Sequence, residues 1–187
     1  MNTYDFDKTV FYPDSSCCFF MYCLRRYPSA VWRTLPGTLS TALAYARKKL
    51  RTKELKEQTF SFLRYIPDVD RAVSDFWRLR RGNMQDWYLR QKRDDDLVIS
   101  ASPEFLLRPI CRELGVRLIA TPMDKSSGRI LGENCHDAEK VRRFQAEYPG
   151  AHTECFYSDS LSDSPMARLA DRAYIVKRGR LSPWPEK

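Results

Sequence analysis

Long apolar runs are missing from this sequence. The longest, Cys17 to Leu24, is far shorter than the roughly 20 residues that a membrane-spanning helix needs. The chain begins with polar and acidic residues, so we expect no secretory signal. The six cysteines contain no CxxC pair and no regular framework, which is typical of reduced thiols. Together these absences favour a cytoplasmic protein without a disulfide scaffold.

The composition is that of a folded chain whose charge is unevenly distributed. Of 187 residues, 43% are hydrophobic and 13% aromatic, enough for one core or a core with a modest inserted module. Residues 14–90 contain 15 Lys/Arg and 7 Asp/Glu, which accounts for the whole net charge of +8. Such a segment is either a solvated helical surface or attracts an anionic partner, such as a phosphorylated ligand or an acidic lipid. It matches no nucleic-acid recognition motif, so we expect no nucleic-acid binding.

The hydrophobic pattern changes along the chain from strand to helix and then to an alternation of both. A short strand is predicted before an acidic loop at the start. Apolar residues at steps of three and four predict helices from Ser15 to about Arg90, separated at Pro28 and at the Pro36–Gly37 pair.

Strands and helices alternate in the remainder of the chain. Strands are predicted at 97–102, 116–121, 152–158 and 172–176, and helices at 103–114, 137–148 and 164–170. The segment through Ser127 and Gly128 is typical of a hairpin, and the tail around Pro183 is expected to be a loop. This alternation predicts an α/β fold with a mainly parallel sheet. The helical segment is predicted to be a second module inserted after the first strand.

Two carboxylates follow the first predicted strand. Asp5 and Asp7 are two residues apart in an extended segment, so their side chains point the same way. Like charges this close disfavour ionisation, and a hard divalent cation relieves that cost. Mg²⁺ favours carboxylate, water and phosphate oxygens. Taken alone, the pair is equally compatible with an ordinary Asp-rich turn.

Further polar side chains stand where later strands end. Ser100 and the backbone of Ala101 precede a helix, where a hydroxyl and N–H groups suit a phosphate, although helix capping alone explains the serine. Lys140, early in a helix, can neutralise a transferring phosphoryl group. Asp159 and Asp163 stand at a strand-to-helix switch. Because ligands bind at the carboxyl ends of parallel strands, we expect these side chains to converge.

The segments carrying these residues resemble, in order, the four motifs of the haloacid dehalogenase (HAD) superfamily. DFDKT at Asp5 to Thr9 is similar to the family's DxDxT, and VISASP is similar to its strand ending in Ser or Thr, here Ser100. GENCHDAEK, with Lys140, and DSLSDSPM, with Asp159 and Asp163, resemble the third and fourth motifs.

The likeness points to the branch, subfamily IB, that contains phosphoserine phosphatase and phosphatidylglycerophosphatase-like enzymes. It implies a HAD-like Rossmannoid parallel sheet flanked by helices, with an inserted α-helical cap. The catalytic core would comprise residues 1–13 and 91–187, and the cap residues 14–90. The implied activity is that of an Mg²⁺-dependent phosphatase.

The resemblance also implies roles for individual residues. Asp5 would be the nucleophile that forms an aspartyl-phosphate, and Asp7 the general acid and then the general base. Mg²⁺ would be bound by Asp5, by the main-chain carbonyl of Asp7 and by Asp159. Asp163 would act indirectly, by orienting Lys140 or a metal-bound water.

Phosphate binding would fall to the remaining motif residues. Thr9 would hold the first loop and belong to the phosphate site together with Ser100, Ala101 and Lys140. Ser100 would donate a hydrogen bond to a phosphoryl oxygen, and Lys140 would offset negative charge on the nucleophile and the phosphoryl group.

The sequence departs from the family pattern at Lys8, Asp137 and Ser158, where glycine is usual. None of these changes removes a side chain that does chemistry, but each can alter loop geometry. His136 and His152 have no third ligand at a sensible spacing, so we predict no histidine metal site.

The helical segment leaves the substrate open. Its apolar residues Phe19, Phe20, Met21 and Trp32 either form the core of the segment or, flanked by arginines, lie in a membrane interface and present a lipid phosphate. The predicted substrate is therefore a small polar phosphoester, phosphoserine-like, or a lipid phosphate, phosphatidylglycerophosphate-like. The alternative is a non-catalytic protein that binds a phosphorylated ligand. The oligomeric state stays open.

Overall fold

One six-stranded sheet organises the fold in the computed structural model, which describes residues 1–48 and 51–185. The strands are β1 (Thr3–Tyr4), β2 (Leu97–Pro103), β3 (Arg117–Thr121), β4 (Thr153–Ser158), β5 (Ala170–Lys177) and β6 (Arg180–Pro183). Their order is β3-β2-β1-β4-β5-β6, and all neighbours are parallel except β5 and β6. The predicted α/β class and mainly parallel sheet are confirmed.

Eight α-helices accompany the sheet in the described part of the chain. They are α1 (Ser15–Arg26), α2 (Pro28–Ala46), α3 (Thr52–Phe60), α4 (Val69–Arg80), α5 (Asp86–Gln91), α6 (Glu104–Leu114), α7 (Ala138–Glu147) and α8 (Ser164–Ala167). Short 3-10 turns lie at Ser61–Tyr65, Arg81–Asn83 and Leu161–Asp163. Helices α1 to α5 follow β1 directly, as predicted, while the division into two domains stays a prediction. Within residues 1–48 and 51–185, no helix is long and apolar enough to cross a bilayer.

Strand β2 is buried on both faces. Val98 belongs to one hydrophobic cluster, whereas its neighbours Leu97 and Ile99 belong to another. Because successive strand residues point to opposite faces, the two clusters lie on opposite sides of β2. Such two-sided burial explains why Leu97, Val98 and Ile99 are apolar at successive positions.

An aromatic cluster joins the helical segment to the sheet. Tyr4 of β1 is fully buried, stacks on Tyr157 with ring centroids 4.8 Å apart, and meets Tyr88 of α5 edge-on at 4.9 Å. Farther along, Trp77 of α4 donates its indole N–H to the Leu106 carbonyl of α6 at 2.6 Å. These contacts hold the helical segment against the edge of the sheet where the first strand ends.

The helix break predicted at Pro36–Gly37 is wrong, because α2 continues through both residues. Pro36 is exposed on the helix surface, where its missing N–H costs one intrahelical bond. Gly37 faces α3, and a Cβ built there would lie only 2.6 Å from Gln58 Nε2. Close packing of α2 on α3 therefore offsets the local preference for a break.

The loop predicted around Pro183 is also wrong, because this segment forms β6 at the edge of the sheet. Lys177 of β5 pairs with Arg180, and the two residues between them, Arg178 and Gly179, both have positive φ, at 50° and 78°. This is the pattern of a two-residue hairpin turn whose twist suits antiparallel strands. Pro183 is tolerated because it ends an edge strand.

Candidate active site

A cavity of about 580 Å³ opens at the carboxyl ends of β1, β2 and β4 and is faced by helices α1 and α3. Its lining from the sheet side includes most of the predicted site residues: Asp5, Asp7, Ser100, Ala101, Lys140, Asp159 and Asp163. The structure therefore brings together side chains that are up to 158 positions apart in a chain of 187 residues.

Lys140 is the centre of a buried ionic cluster. Its Nζ donates to Asp5 Oδ1 at 2.6 Å and to Asp163 Oδ2 at 2.7 Å. Lys140 is 1% exposed and Asp163 is 2% exposed. The ammonium group is therefore shared by two carboxylates that come from the ends of different strands.

Burial controls the protonation of this cluster. It raises the pKa of Asp5, because an ionised carboxylate loses its hydration, and Lys140 opposes that rise while Asp163 adds to it. Burial alone would lower the pKa of Lys140, but the two carboxylates raise it above its ordinary value. Lys140 is therefore a cation at neutral pH.

Asp7 is oriented by serines from β2 and α1. Ser102 Oγ donates to Asp7 Oδ2 at 2.5 Å, and the Ser15 backbone N–H donates to Asp7 Oδ1 at 2.6 Å. Burial raises the pKa of Asp7 to about 6, Asp14 adds to the rise, and the hydrogen bonds from Ser102 and Ser15 oppose it. A carboxyl group with this pKa can both give and accept a proton near neutral pH.

Neither serine partner of Asp7 was predicted as a site residue. Ser102 was the easier to find, because it lies two positions after Ser100 on the same strand, and such residues share a face. Ser100 is buried, lines the cavity and accepts the Ser102 backbone N–H through Oγ at 3.1 Å. The contact of Ser15 with Asp7 depends on the path of the intervening turn and carries no local sequence signal.

Lys56 of α3 was also missed, although it lines the cavity. Its Nζ donates to the Ala101 carbonyl and to Asn134 Oδ1, each at 2.8 Å. Burial lowers the pKa of Lys56 to about 8, and the neighbouring Asp7 opposes the change. This lysine connects the helical segment directly to β2 and to the loop between β3 and α7. One lysine among many in the basic segment 14–90 gives no sign in the sequence that it points inward.

Asp5 and Asp159 offer oxygen ligands for a hard cation. Asp5 uses Oδ1 for Lys140, and Asp159 lines the same cavity. Burial raises the pKa of Asp159, while Lys8 and Lys177 oppose the rise. No group of three or more His, Cys, Asp or Glu side chains converges within residues 1–48 and 51–185. Mg²⁺ commonly takes only one or two protein carboxylates, so these hard oxygen donors fit it.

Thr9 and the two histidines occupy different surroundings. Thr9 is fully buried outside the cavity lining, and its hydroxyl has no hydrogen-bond partner among the described residues. Its backbone N–H donates to the Phe6 carbonyl at 3.3 Å, which suits holding the loop of Asp5 and Asp7 rather than touching a ligand. His152 lies 2.7 Å from Asp171, far from the cavity residues, whereas His136 lines the cavity.

The three departures from glycine have distinct structural consequences. Lys8 and Asp137 adopt left-handed backbone conformations, with φ of 59° and 55°, which favour glycine. Ser158 has no such constraint, and its hydroxyl donates to Asp163 Oδ2 at 2.7 Å. The first two residues therefore carry backbone strain, while Ser158 adds a contact that positions Asp163.

Replacing Asp137 by glycine is expected to stabilise the protein by about 1 kcal/mol, as relief of left-handed strain exceeds the added entropy of the unfolded chain. Asp137 is exposed and makes no capping hydrogen bond through its side chain, so little else is lost. Urea unfolding measures the change. Asp94→Gly, at an exposed turn position without positive φ, is the control and should not stabilise. Equal destabilisation by both changes would contradict the strain at Asp137.

Comparison with known protein families identifies the family to which this chain belongs. The family model for haloacid dehalogenase-like hydrolases matches residues 3–168, which include the whole candidate site. The chain belongs to the haloacid dehalogenase-like hydrolase family. The superfamily predicted from the four motifs is confirmed.

Several proteins are similar to this haloacid dehalogenase-like chain over most of its length. Protein CicA of Caulobacter vibrioides is 28% identical over 195 aligned positions, covering 95% of this chain and 86% of that protein. A Bordetella pertussis protein of unknown function has a TM-score of 0.74 at 24% identity, with 92% of this chain and 87% of that chain covered. A phosphoserine phosphatase with a phospho-aspartyl intermediate analogue has a TM-score of 0.59 at 14% identity, with coverages of 91% and 83%. At these identities, the structural likeness establishes a shared fold.

Proposed function

We propose that this protein is a phosphomonoesterase that transfers a phosphoryl group to Asp5 and then to water. The observation that carries the proposal is the position of Asp5, held by Lys140 in a cavity that also contains the Asp7 carboxyl group. A carboxylate nucleophile beside a second carboxyl group with a pKa near 6 suits two-step covalent catalysis. The family assignment and the likeness to a phosphoserine phosphatase support the same chemistry.

Two displacements at phosphorus make up the proposed reaction. In the first, an Asp5 carboxylate oxygen attacks phosphorus, the bond to the leaving oxygen breaks, and Asp7 gives that oxygen its proton. In the second, water attacks the aspartyl-phosphate while Asp7 takes up a proton from the water. The bond between Asp5 and phosphorus then breaks and releases inorganic phosphate. Ser102 and Ser15 keep the Asp7 carboxyl oriented in both steps.

Charge stabilisation falls to groups around Asp5. The Ser100 hydroxyl and the Ala101 backbone N–H would bind phosphoryl oxygens, and Lys140 would offset their negative charge. Asp163 positions Lys140 through the 2.7 Å contact to Nζ. Positioning and electrostatics are the main contributions that proteins make to phosphoryl transfer.

Mg²⁺ would be held by the carboxylates of Asp5 and Asp159 and by the main-chain carbonyl of Asp7. When bound, it supplies electrostatic stabilisation of the charge on the phosphate. Asp159 is half-buried with a raised pKa, and a bound cation would stabilise the ionised form of this carboxylate.

The helical segment lines one wall of the cavity, and the composition of this wall favours a substrate whose leaving group has an apolar part. The apolar side chains on this wall are Phe20, Met21, Leu55 and Phe60. A lipid phosphate would place its glycerol and acyl carbons against them. A small polar phosphoester such as phosphoserine would instead rely on Lys56 and Asp14 for its charged groups. Both substrate classes belong in the first activity screen.

A non-catalytic protein that binds phosphorylated ligands is the second candidate. The strained backbone at Lys8 and Asp137, in loops where the family usually has glycine, favours it, because loop geometry decides how closely phosphate approaches Asp5. Retained binding of phosphate without turnover would identify this alternative.

The proposed activity is tested by release of p-nitrophenol from p-nitrophenyl phosphate with Mg²⁺, with EDTA, and after Mg²⁺ is restored. We expect turnover only when the cation is present. Without it, the negative charge of the phosphate would face the carboxylates of Asp5 and Asp159 with no cation between them. Equal rates in EDTA would contradict the cation requirement. No turnover under any condition, with vanadate still bound, would favour the binding protein.

A further inference from the structure

Helix α2 presents an apolar face that no described part of the chain covers. Trp32, Leu39 and Leu43 are 63%, 62% and 54% exposed, and Pro28 and Pro36 are exposed beside them. Steps of three and four residues place all five on one side of the helix. We call this row of Pro28, Trp32, Pro36, Leu39 and Leu43 the α2 stripe. Contiguous exposed apolar surfaces of this kind mark interaction sites.

The surroundings of the α2 stripe carry charge of one sign. Residues 15–53 contain no Asp or Glu. The Lys and Arg positions in this segment are 25, 26, 33, 47, 48, 49, 51 and 53. Arg25 and Arg26 precede α2, Arg33 follows Trp32, and Arg47 and Lys48 follow the last residue of the helix, all with exposed side chains. The partner of this face must therefore combine an apolar interior with a negative rim.

We propose that the α2 stripe binds the interface of an anionic lipid bilayer. An amphipathic helix with Trp and Leu on one face and flanking Arg and Lys lies in the plane of the interface, with its apolar side among the acyl chains. The basic residues then interact with acidic head groups. Trp32 suits the head-group region, where indole rings are enriched.

Two alternative uses of these apolar residues are less consistent with the structure. Phe19 is fully buried and Phe20 partly buried, so both belong to the core of the helical segment, whereas Met21 and Trp32 are exposed. Pairing of two α2 stripes between copies of the chain would bring the same basic residues together without acidic partners, which is repulsive.

Helix α2, which carries the stripe, also contacts the wall of the cavity through another of its faces. Tyr45, in the last turn of α2, has its hydroxyl 3.5 Å from Thr52 Oγ1, and Thr52 lines the cavity. Met21, 44% exposed, lines the same cavity from α1. Membrane binding by the α2 stripe does not depend on the proposed chemistry, but delivery of a lipid phosphate to Asp5 would depend on both.

Vesicle co-sedimentation of the 187-residue chain tests the proposal. The probes are vesicles of phosphatidylcholine alone and of phosphatidylcholine mixed with phosphatidylglycerol, at low salt. We expect wild-type protein to prefer the mixed vesicles, and the triple variant Trp32→Ser, Leu39→Ser, Leu43→Ser to bind them about tenfold less. Turnover of p-nitrophenyl phosphate reports independently on the active site, and this variant should retain the wild-type rate.

The matched control removes equally exposed apolar groups elsewhere. Leu79, Leu89 and Leu131 are 68%, 43% and 63% exposed, and their replacement by serine should leave vesicle binding unchanged. Failure of the wild type to bind mixed vesicles, or equal losses in both triple variants, would overturn the proposal. So would a dimer in sedimentation velocity that the α2 substitutions dissociate, because a second copy would then cover the stripe.

Discussion

Asparagine in place of Asp5 is expected to lower phosphatase turnover by about 10⁴-fold or more while the fold stays intact. The amide has nearly the shape of the carboxylate but cannot attack phosphorus. Lys140 keeps its 2.7 Å contact with Asp163, so the buried ammonium group retains a partner. Steady-state turnover of p-nitrophenyl phosphate measures the loss, and thermal unfolding of the same sample reports whether the variant is folded.

Asp68→Asn is a suitable control for the change of charge. Asp68 caps α4 by accepting the Arg71 backbone N–H at 2.9 Å, and asparagine caps helices about as well. This variant should keep its turnover. Near-normal turnover of folded Asp5→Asn would exclude Asp5 as the nucleophile. A loss restricted to Asp5→Asn would support the aspartyl-phosphate route, and trapping of labelled phosphate on wild-type protein would then test the intermediate itself.

The sheet and the edge that carries the site were predictable because their signals are local. The run from Leu97 to Ile99 is apolar at every position, as expected for a strand buried on both faces. Alternation with helices implies parallel strands, and parallel strands bring their carboxyl ends to one edge. Asp5 and Asp163 therefore converge even though the sequence separates them widely.

The elements that were missed depend on contacts between distant segments. Continuation of α2 through Pro36 and Gly37 relies on the packing of α3, which no local pattern reveals. Strand β6 forms because β5 presents an open edge to it. The inward direction of Lys56 follows from the positions of Asn134 and of the Ala101 carbonyl in β2.

The exposed side of α2 illustrates the same limit. Apolar residues occur all round this helix, so periodicity alone does not choose the buried face. The structure buries Ala30 and Val31 and leaves Trp32 in solvent. The packing of neighbouring elements decides which face of α2 is buried. It therefore also decides which apolar residues belong to the core of the helical segment and which remain free for a membrane interface.

Methionine in place of Lys140 is expected to abolish activity and to lower the free energy of unfolding by about 3–5 kcal/mol. The change leaves the carboxylates of Asp5 and Asp163 buried near each other without their shared cation. Urea unfolding in EDTA measures the stability without compensation by a bound metal. Lys125→Met is the matched control, because it breaks an exposed ion pair with Asp70 and should cost no more than about 1 kcal/mol.

The double variant Lys140→Met, Asp163→Asn separates structure from chemistry. Neutralising Asp163 removes one of the two unpaired carboxylates, so we expect part of the lost stability to return. Activity should not return, because no cation remains beside the Asp5 oxygen and the phosphoryl group. If the double variant regained turnover, Lys140 would serve only to hold two acids together in the fold. If Lys140→Met were as stable as Lys125→Met, the buried cluster would gain nothing from its lysine, and the electrostatic account of the site would be wrong.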